Sequence, residues 1–165
     1  LRSVLQRIGD GGHRASLSAR QAVPARMPAE ERFSGLELSI LVAEDNPVNQ
    51  RVASLFLKKL GLSAEIAANG GEAVRACQAR KFDLIFMDVQ MPEMDGLQAT
   101  RAIREMDGLS GQPWIVALTA NATQGDREQA LGSGMNDYLA KPIKLEDMKA
   151  AIEAFIASRK EAVAV

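Results

Sequence analysis

An apolar run that ends in an acid constrains this chain more than any other feature. Phe82-Asp83-Leu84-Ile85-Phe86-Met87 leads directly into Asp88, and Val89-Gln90-Met91-Pro92-Glu93-Met94-Asp95-Gly96 follows. A short continuous apolar run predicts a strand buried on both faces, the pattern of a parallel sheet. Pro92 and Gly96 break regular structure soon after. Asp88 therefore sits at the C-terminal lip of its strand, the edge where open α/β sheets bind ligands. A carboxylate there is costly to desolvate unless something pairs with it. Those partners must come from other segments of the chain.

The same design recurs along the chain. Leu38-Ser39-Ile40-Leu41-Val42-Ala43 predicts a first strand that ends in Glu44-Asp45-Asn46-Pro47. Asn46 suits a helix cap and Pro47 the first helical position. Val48, Val52, Leu55 and Phe56 then follow helical spacing until Gly61. Ala64 to Ala68 predicts a weak second strand, Asn69-Gly70-Gly71 a turn, and Glu72 to Arg80 a helix. After the Asp88 strand, 97–106 predicts a third helix, with Gly108, Gly111 and Pro113 in the loop beyond it. Trp114 to Leu118 predicts a fourth strand that runs into Thr119-Ala120-Asn121. Residues 122–132 predict a poor helix, weakened by Gly125. Asn136 to Ala140 predicts a fifth strand ending at Lys141-Pro142, and Met148, Ile152, Phe155 and Ile156 mark a last helix. Five strands alternating with five helices predict a doubly wound α/β domain with a parallel sheet and helices on both faces.

In such a sheet Glu44, Asp45, Asp88, Thr119 and Lys141 fall on one rim. Crowded carboxylates repel, which raises their proton affinity unless a cation intervenes. Magnesium, which keeps several waters, suits a site with few carboxylates. Lys141 adds a compact positive charge and Thr119 a hydroxyl. That set around one carboxylate predicts a phosphoryl-binding site in which Asp88 is the nucleophile and carries an acyl phosphate.

Composition removes competing classes. A formal net charge of −1 gives no overall basic field directed at nucleic acid. One cysteine, Cys77, rules out an internal disulfide and favours a reducing, cytoplasmic setting. Cys77 lies in a predicted helix, where it is read as a small buried apolar residue rather than a nucleophile. One histidine, His13, argues against a zinc site. No apolar run reaches the roughly 18 residues that span a bilayer, so no membrane contact is expected of this segment. Residues 1–36 differ from the remainder, with six arginines against Asp10, Glu30 and Glu31. Gly11-Gly12, Pro24 and Pro28 suggest a linker or tail from an upstream domain, with 1–8 patterned as helical turns. The expected division is 1–36 linker, 37–158 folded domain and 159–165 C-terminal tail.

Four motifs now stand in order: Leu41-Val42-Ala43-Glu44-Asp45-Asn46, Met87-Asp88 through Asp95-Gly96, Ala117-Leu118-Thr119-Ala120, and Tyr138-Leu139-Ala140-Lys141-Pro142. Together they resemble the response-regulator receiver domain of two-component signalling, across residues 38–158. The resemblance implies a flavodoxin-like (βα)5 fold with strand order 2-1-3-4-5, an order that comes with the family and not from these residues. It implies Asp88 as phosphoacceptor, with Mg²⁺ held by Asp45, Asp88 and the backbone carbonyl of Gln90, and Glu44 acting through water. It implies that Thr119 and Lys141 bind phosphoryl oxygens, that Tyr138 switches inward with Thr119, and that Lys141-Pro142 is cis. Gln90 and Asn121 would flank the attacking water and tune dephosphorylation. Glu44 stands where the family often has aspartate. Glu44-Asp45-Asn46-Pro47-Val48-Asn49-Gln50 resembles receivers attached to hybrid histidine kinases, and the C-terminal receiver of such a kinase is the expected context. Expected partners are a histidine kinase or histidine phosphotransfer domain, and the upstream domains of the same chain. Such a receiver catalyses only its own phosphorylation and dephosphorylation. Alternatives are a free-standing single-domain regulator, an interaction module that is not phosphorylated, and an aspartate-based phosphatase. The last usually needs a second aspartate where this chain has Gln90.

Overall fold

The computed structural model describes residues 32–106 and 111–163. Five strands alternate with five helices: β1 (Ile40–Ala43), α1 (Pro47–Lys59), β2 (Glu65–Ala67), α2 (Gly70–Ala79), β3 (Leu84–Asp88), α3 (Gly96–Arg104), β4 (Trp114–Thr119), α4 (Gln124–Gly132), β5 (Asp137–Ala140) and α5 (Leu145–Val163). The strands form one parallel sheet in the order β2-β1-β3-β4-β5, as the resemblance implied.

Side-chain alternation along the strands divides the core in two. Ile40, Val42, Leu84, Phe86, Val116 and Leu118 face α1 and α5, where they meet Leu57, Met148, Ile152 and Phe155. Leu41, Ala43, Ile85, Met87, Ile115 and Ala117 face the other way and meet Ala73, Cys77, Ala99 and Ile103. Both faces of the three central strands are therefore dry, which is why their sequences read as unbroken apolar runs.

All five helices start in loops that leave strand C-termini, and four of the starts are capped by a side chain of their own sequence. Asn46, Asn69, Asp95 and Thr123 accept hydrogen bonds from the backbone N–H groups of Val48, Glu72, Gln98 and Asp126. Asp95 and Gln98 complete a reciprocal capping box. Each cap is worth about 1 kcal/mol, and each also fixes the point where the chain turns away from the functional rim. Gly96 shows how tight that rim is. A Cβ at this position would collide with the Asp88 carbonyl oxygen, so only glycine lets α3 start directly against the end of β3.

The folded body is wider than 37–158. Phe33 is 4% exposed and joins the α1–α5 core, and its N–H bonds the Leu60 carbonyl at 3.1 Å. Arg32 pairs with Glu153 of α5 at 2.8 Å. At the other end α5 continues to Val163. The expected helical turns at 1–8, the linker signals before residue 31 and His13 lie outside the described residues. Among the described residues no helix is long and apolar enough to cross a membrane.

Candidate functional site

Strand register brings the site residues together. Ala43 is level with Met87, Asp88 with Leu118, and Thr119 with Ala140. Glu44, Asp88, Thr119 and Lys141 thus occupy the last rungs of four neighbouring strands or the position just past them. The cis peptide between Lys141 and Pro142 lies in the loop after β5.

Lys141 is the hub. Its Nζ lies 2.8 Å from Asp88 Oδ2 and 2.9 Å from Glu44 Oε2. Both carboxylates are buried, Glu44 at 1% and Asp88 at 3% exposure. Asp88 Oδ1 accepts the Gln90 N–H at 3.0 Å, and Glu44 Oε1 accepts the Asn46 N–H at 3.1 Å. Among the described residues Glu44 Oε2 is buried without a hydrogen-bond partner, and the Lys141 ammonium lies 2.9 Å from it. Asp45 is exposed, yet it offers an oxygen that lies with those of Glu44 and Asp88 inside a 4.8 Å group.

The electrostatics follow from burial. Burial pushes the Asp88 carboxyl up, the Lys141 contact pulls it down, and the Glu44 charge raises it again, leaving it at about 6. Burial also raises Glu44, but Lys141 and the Asn46 N–H outweigh it and hold this carboxyl below its usual value. Burial disfavours the Lys141 ammonium, yet the two carboxylates hold its pKa above the ordinary lysine value. The three groups titrate as one set. One lysine thus serves two buried carboxylates with a third beside them, and the negative charge is in excess. Three carboxylate oxygens this close fit a small hard dication such as Mg²⁺.

The other expected site side chains make contacts of their own. The Thr119 hydroxyl donates to the Asn121 carbonyl at 2.7 Å and accepts the Asn121 N–H at 3.2 Å, so it is turned along its own loop. Tyr138 is half-buried, with the Arg127 guanidinium over its ring at 5.3 Å. The side chains of Gln90 and Asn121 are exposed. Cys77 is buried, and burial pushes its thiol up to about 11, which suits packing and not nucleophilic work. Trp114 opens β4 at the rim away from Asp88 and packs on Phe155, so it is poorly placed to report on the site.

One contact was not legible beforehand. Gln50 Nε2 donates to the Glu44 carbonyl at 2.7 Å. Its signal was its position four residues after the cap Asn46, which on a helix puts it on the same face as the turn.

The response regulator receiver domain family matches residues 40–153. Hybrid signal transduction histidine kinase K of Dictyostelium discoideum is 42% identical over 127 residues, which is 72% of this chain and 10% of that protein. Across several such kinases the chain spans only 4% to 16% of their length. The receiver domain of sensor histidine kinase PA1611 from Pseudomonas aeruginosa PAO1, solved with a magnesium ion in its active-site cleft, is 43% identical. Its TM-score is 0.66, covering 74% of this chain and 99% of that one. The receiver domain of the Saccharomyces cerevisiae response regulator Ssk1 was solved with the histidine phosphotransfer protein Ypd1. That match has 38% identity and a TM-score of 0.65, covering 68% and 84% of the two chains. By sequence, by fold and by the extent of the match, this chain belongs to the response regulator receiver domain family.

Proposed function

We propose that this receiver takes a phosphoryl group from a phosphohistidine onto Asp88 and uses it to change the surface it shows to partners. One observation carries the reading: a buried carboxylate at the sheet's C-terminal rim, 2.8 Å from an ammonium and inside a group of three acids. An Asp88 carboxylate oxygen attacks phosphorus; the new P–O bond forms as the P–N bond to the imidazole breaks, and the imidazole nitrogen leaves with its electron pair. Lys141 moves from the carboxylate pair to a phosphoryl oxygen. Thr119 exchanges its bond to the Asn121 carbonyl for another phosphoryl oxygen, and Tyr138 turns into the space it leaves. Asp45, Asp88 and the Gln90 carbonyl would hold Mg²⁺, with Glu44 acting through water, and the ion supplies positive charge against the carboxylates and the transferring group. Gln90 and Asn121 flank the path of the hydrolytic water and tune how long the acyl phosphate lasts.

Partners follow from the chemistry: a histidine kinase or a histidine phosphotransfer domain as phosphodonor or acceptor, in the cytoplasm. The hybrid kinases among its relatives favour a receiver joined to kinase domains of its own chain over a free-standing regulator. Incubation with acetyl phosphate and Mg²⁺, read by intact mass, tests the proposal. One phosphoryl adduct is expected, lost in EDTA and in Asp88→Asn. A folded wild-type protein that gains no adduct would instead be an interaction module, and sustained turnover of phosphate monoesters would make it a phosphatase.

A further inference from the structure

We propose that Gln50 is a positioning residue for the divalent-cation site, acting on Asp45 through the backbone. The inference rests on the reading of Asp45 as a metal ligand. The Asp45 carboxylate makes no hydrogen bond or ion pair among the described residues, and it is exposed. Nothing attached to the side chain itself therefore holds it near Glu44 and Asp88. Its direction comes from the two peptide groups on either side.

Both of those peptides are tied down by side chains. The peptide after Asp45 gives its N–H, on Asn46, to Glu44 Oε1 at 3.1 Å. The peptide before Asp45 gives its carbonyl, on Glu44, to Gln50 Nε2 at 2.7 Å. Among the described residues no backbone group does the second job. β1 ends at Ala43, Pro47 has no N–H, and the Val48 N–H is taken by the Asn46 side chain. Without Gln50 the Glu44 carbonyl loses its side-chain tether, the Glu44–Asp45 peptide is held only through its neighbours, and the aim of Asp45 loosens. Gln50 stands on the first turns of α1, a rigid base whose start is capped by Asn46. Outer groups that orient ligands in this way typically change metal affinity by about 10-fold or more when removed.

Gln50→Leu keeps the volume and removes the donor. Calorimetry should show Mg²⁺ affinity lower by about 10-fold, with the urea midpoint in EDTA close to wild type. Labelling by acetyl phosphate should fall at limiting Mg²⁺ and recover when Mg²⁺ saturates. Gln50→Glu adds negative charge near the site, which by charge alone would tighten binding, but it too lacks the donor and should weaken it. Unchanged or tighter Mg²⁺ binding in both variants overturns the inference, as does a labelling defect that saturating Mg²⁺ leaves in place. A wild-type protein that binds no Mg²⁺ overturns the metal reading itself, whereas wild-type binding with unaffected variants removes only Gln50.

Discussion

The two rims of the sheet use the same residue types and treat them in opposite ways. At the N-terminal rim, Asp83 accepts the Ser39 N–H at 2.9 Å and faces Arg159 at 3.4 Å. Arg104 donates there to the carbonyls of Gly134 and Pro113 and to the side chains of Gln112 and Asn136. Asn136 Oδ1 in turn accepts the Ile115 N–H. Burial lowers Arg104's proton affinity, but four acceptors surround it. At the C-terminal rim one lysine serves two buried carboxylates, and among the described residues Glu44 Oε2 has no hydrogen bond. The charges at the first rim are satisfied and join elements; those at the second are left short of partners, as the proposed metal and phosphoryl site requires. The difference predicts that substitutions at one rim cost stability and at the other mainly change chemistry.

Lys141→Ala should have the largest effect, because it leaves two buried carboxylates facing each other. Roughly 3 kcal/mol of stability should be lost in EDTA at pH 7.5, within the range for breaking a buried pair. Phosphoryl labelling should nearly vanish, and a variant as stable as wild type would break the contrast. Arg104→Ala should cost about 2 kcal/mol in urea denaturation. Its labelling rate at low temperature should stay near wild type, and a large loss would mean that the N-terminal rim reaches the chemistry.

Asp88→Asn should move the other way. The folded-state carboxyl at about 6 lies above the roughly 3.9 of an unfolded aspartate. Folding therefore favours the protonated acid: its stabilising contribution is complete below about pH 4 and is lost as pH rises through 6. Asparagine has no proton to lose. In EDTA the variant should match or trail wild type at pH 4 and exceed it by about 1 kcal/mol above pH 6.5, read from urea midpoints across that span. A gap that does not change with pH would sink this expectation. The smallest effect belongs to Asp83→Asn, whose amide oxygen can still accept the Ser39 N–H. About 0.5 kcal/mol is expected, with labelling unchanged.

Much of this was legible because period and punctuation carry it. Leu84 to Met87 followed by Asp88 reads as a strand with an acid at its end whatever surrounds it. Asn46-Pro47 marks a helix start by local hydrogen bonding alone, and the structure has that cap. The inward face of α1 was less legible. Val48, Val52, Leu55 and Phe56 have helical spacing, yet Val48 and Leu55 are 66% and 57% exposed, while Ala53 and Leu57 are buried. A small alanine gives a weak signal, and only packing against β1 selects the face. Phe33 read as linker because one aromatic among polar neighbours has no periodicity, although it belongs to the core cluster that holds Leu60.

The sequence by itself determined the alternation of strands and helices, the ends at which acids, hydroxyl and lysine stand, and the family, since each depends on near neighbours along the chain. The tertiary structure alone decided which of those groups touch: Lys141 between Glu44 and Asp88, Thr119 turned toward Asn121, and Gln50 on the Glu44 carbonyl. Those contacts depend on strand register and on rotamers chosen under burial, where a charge or a carbonyl without a partner is too costly to leave and must take whichever neighbour the fold supplies.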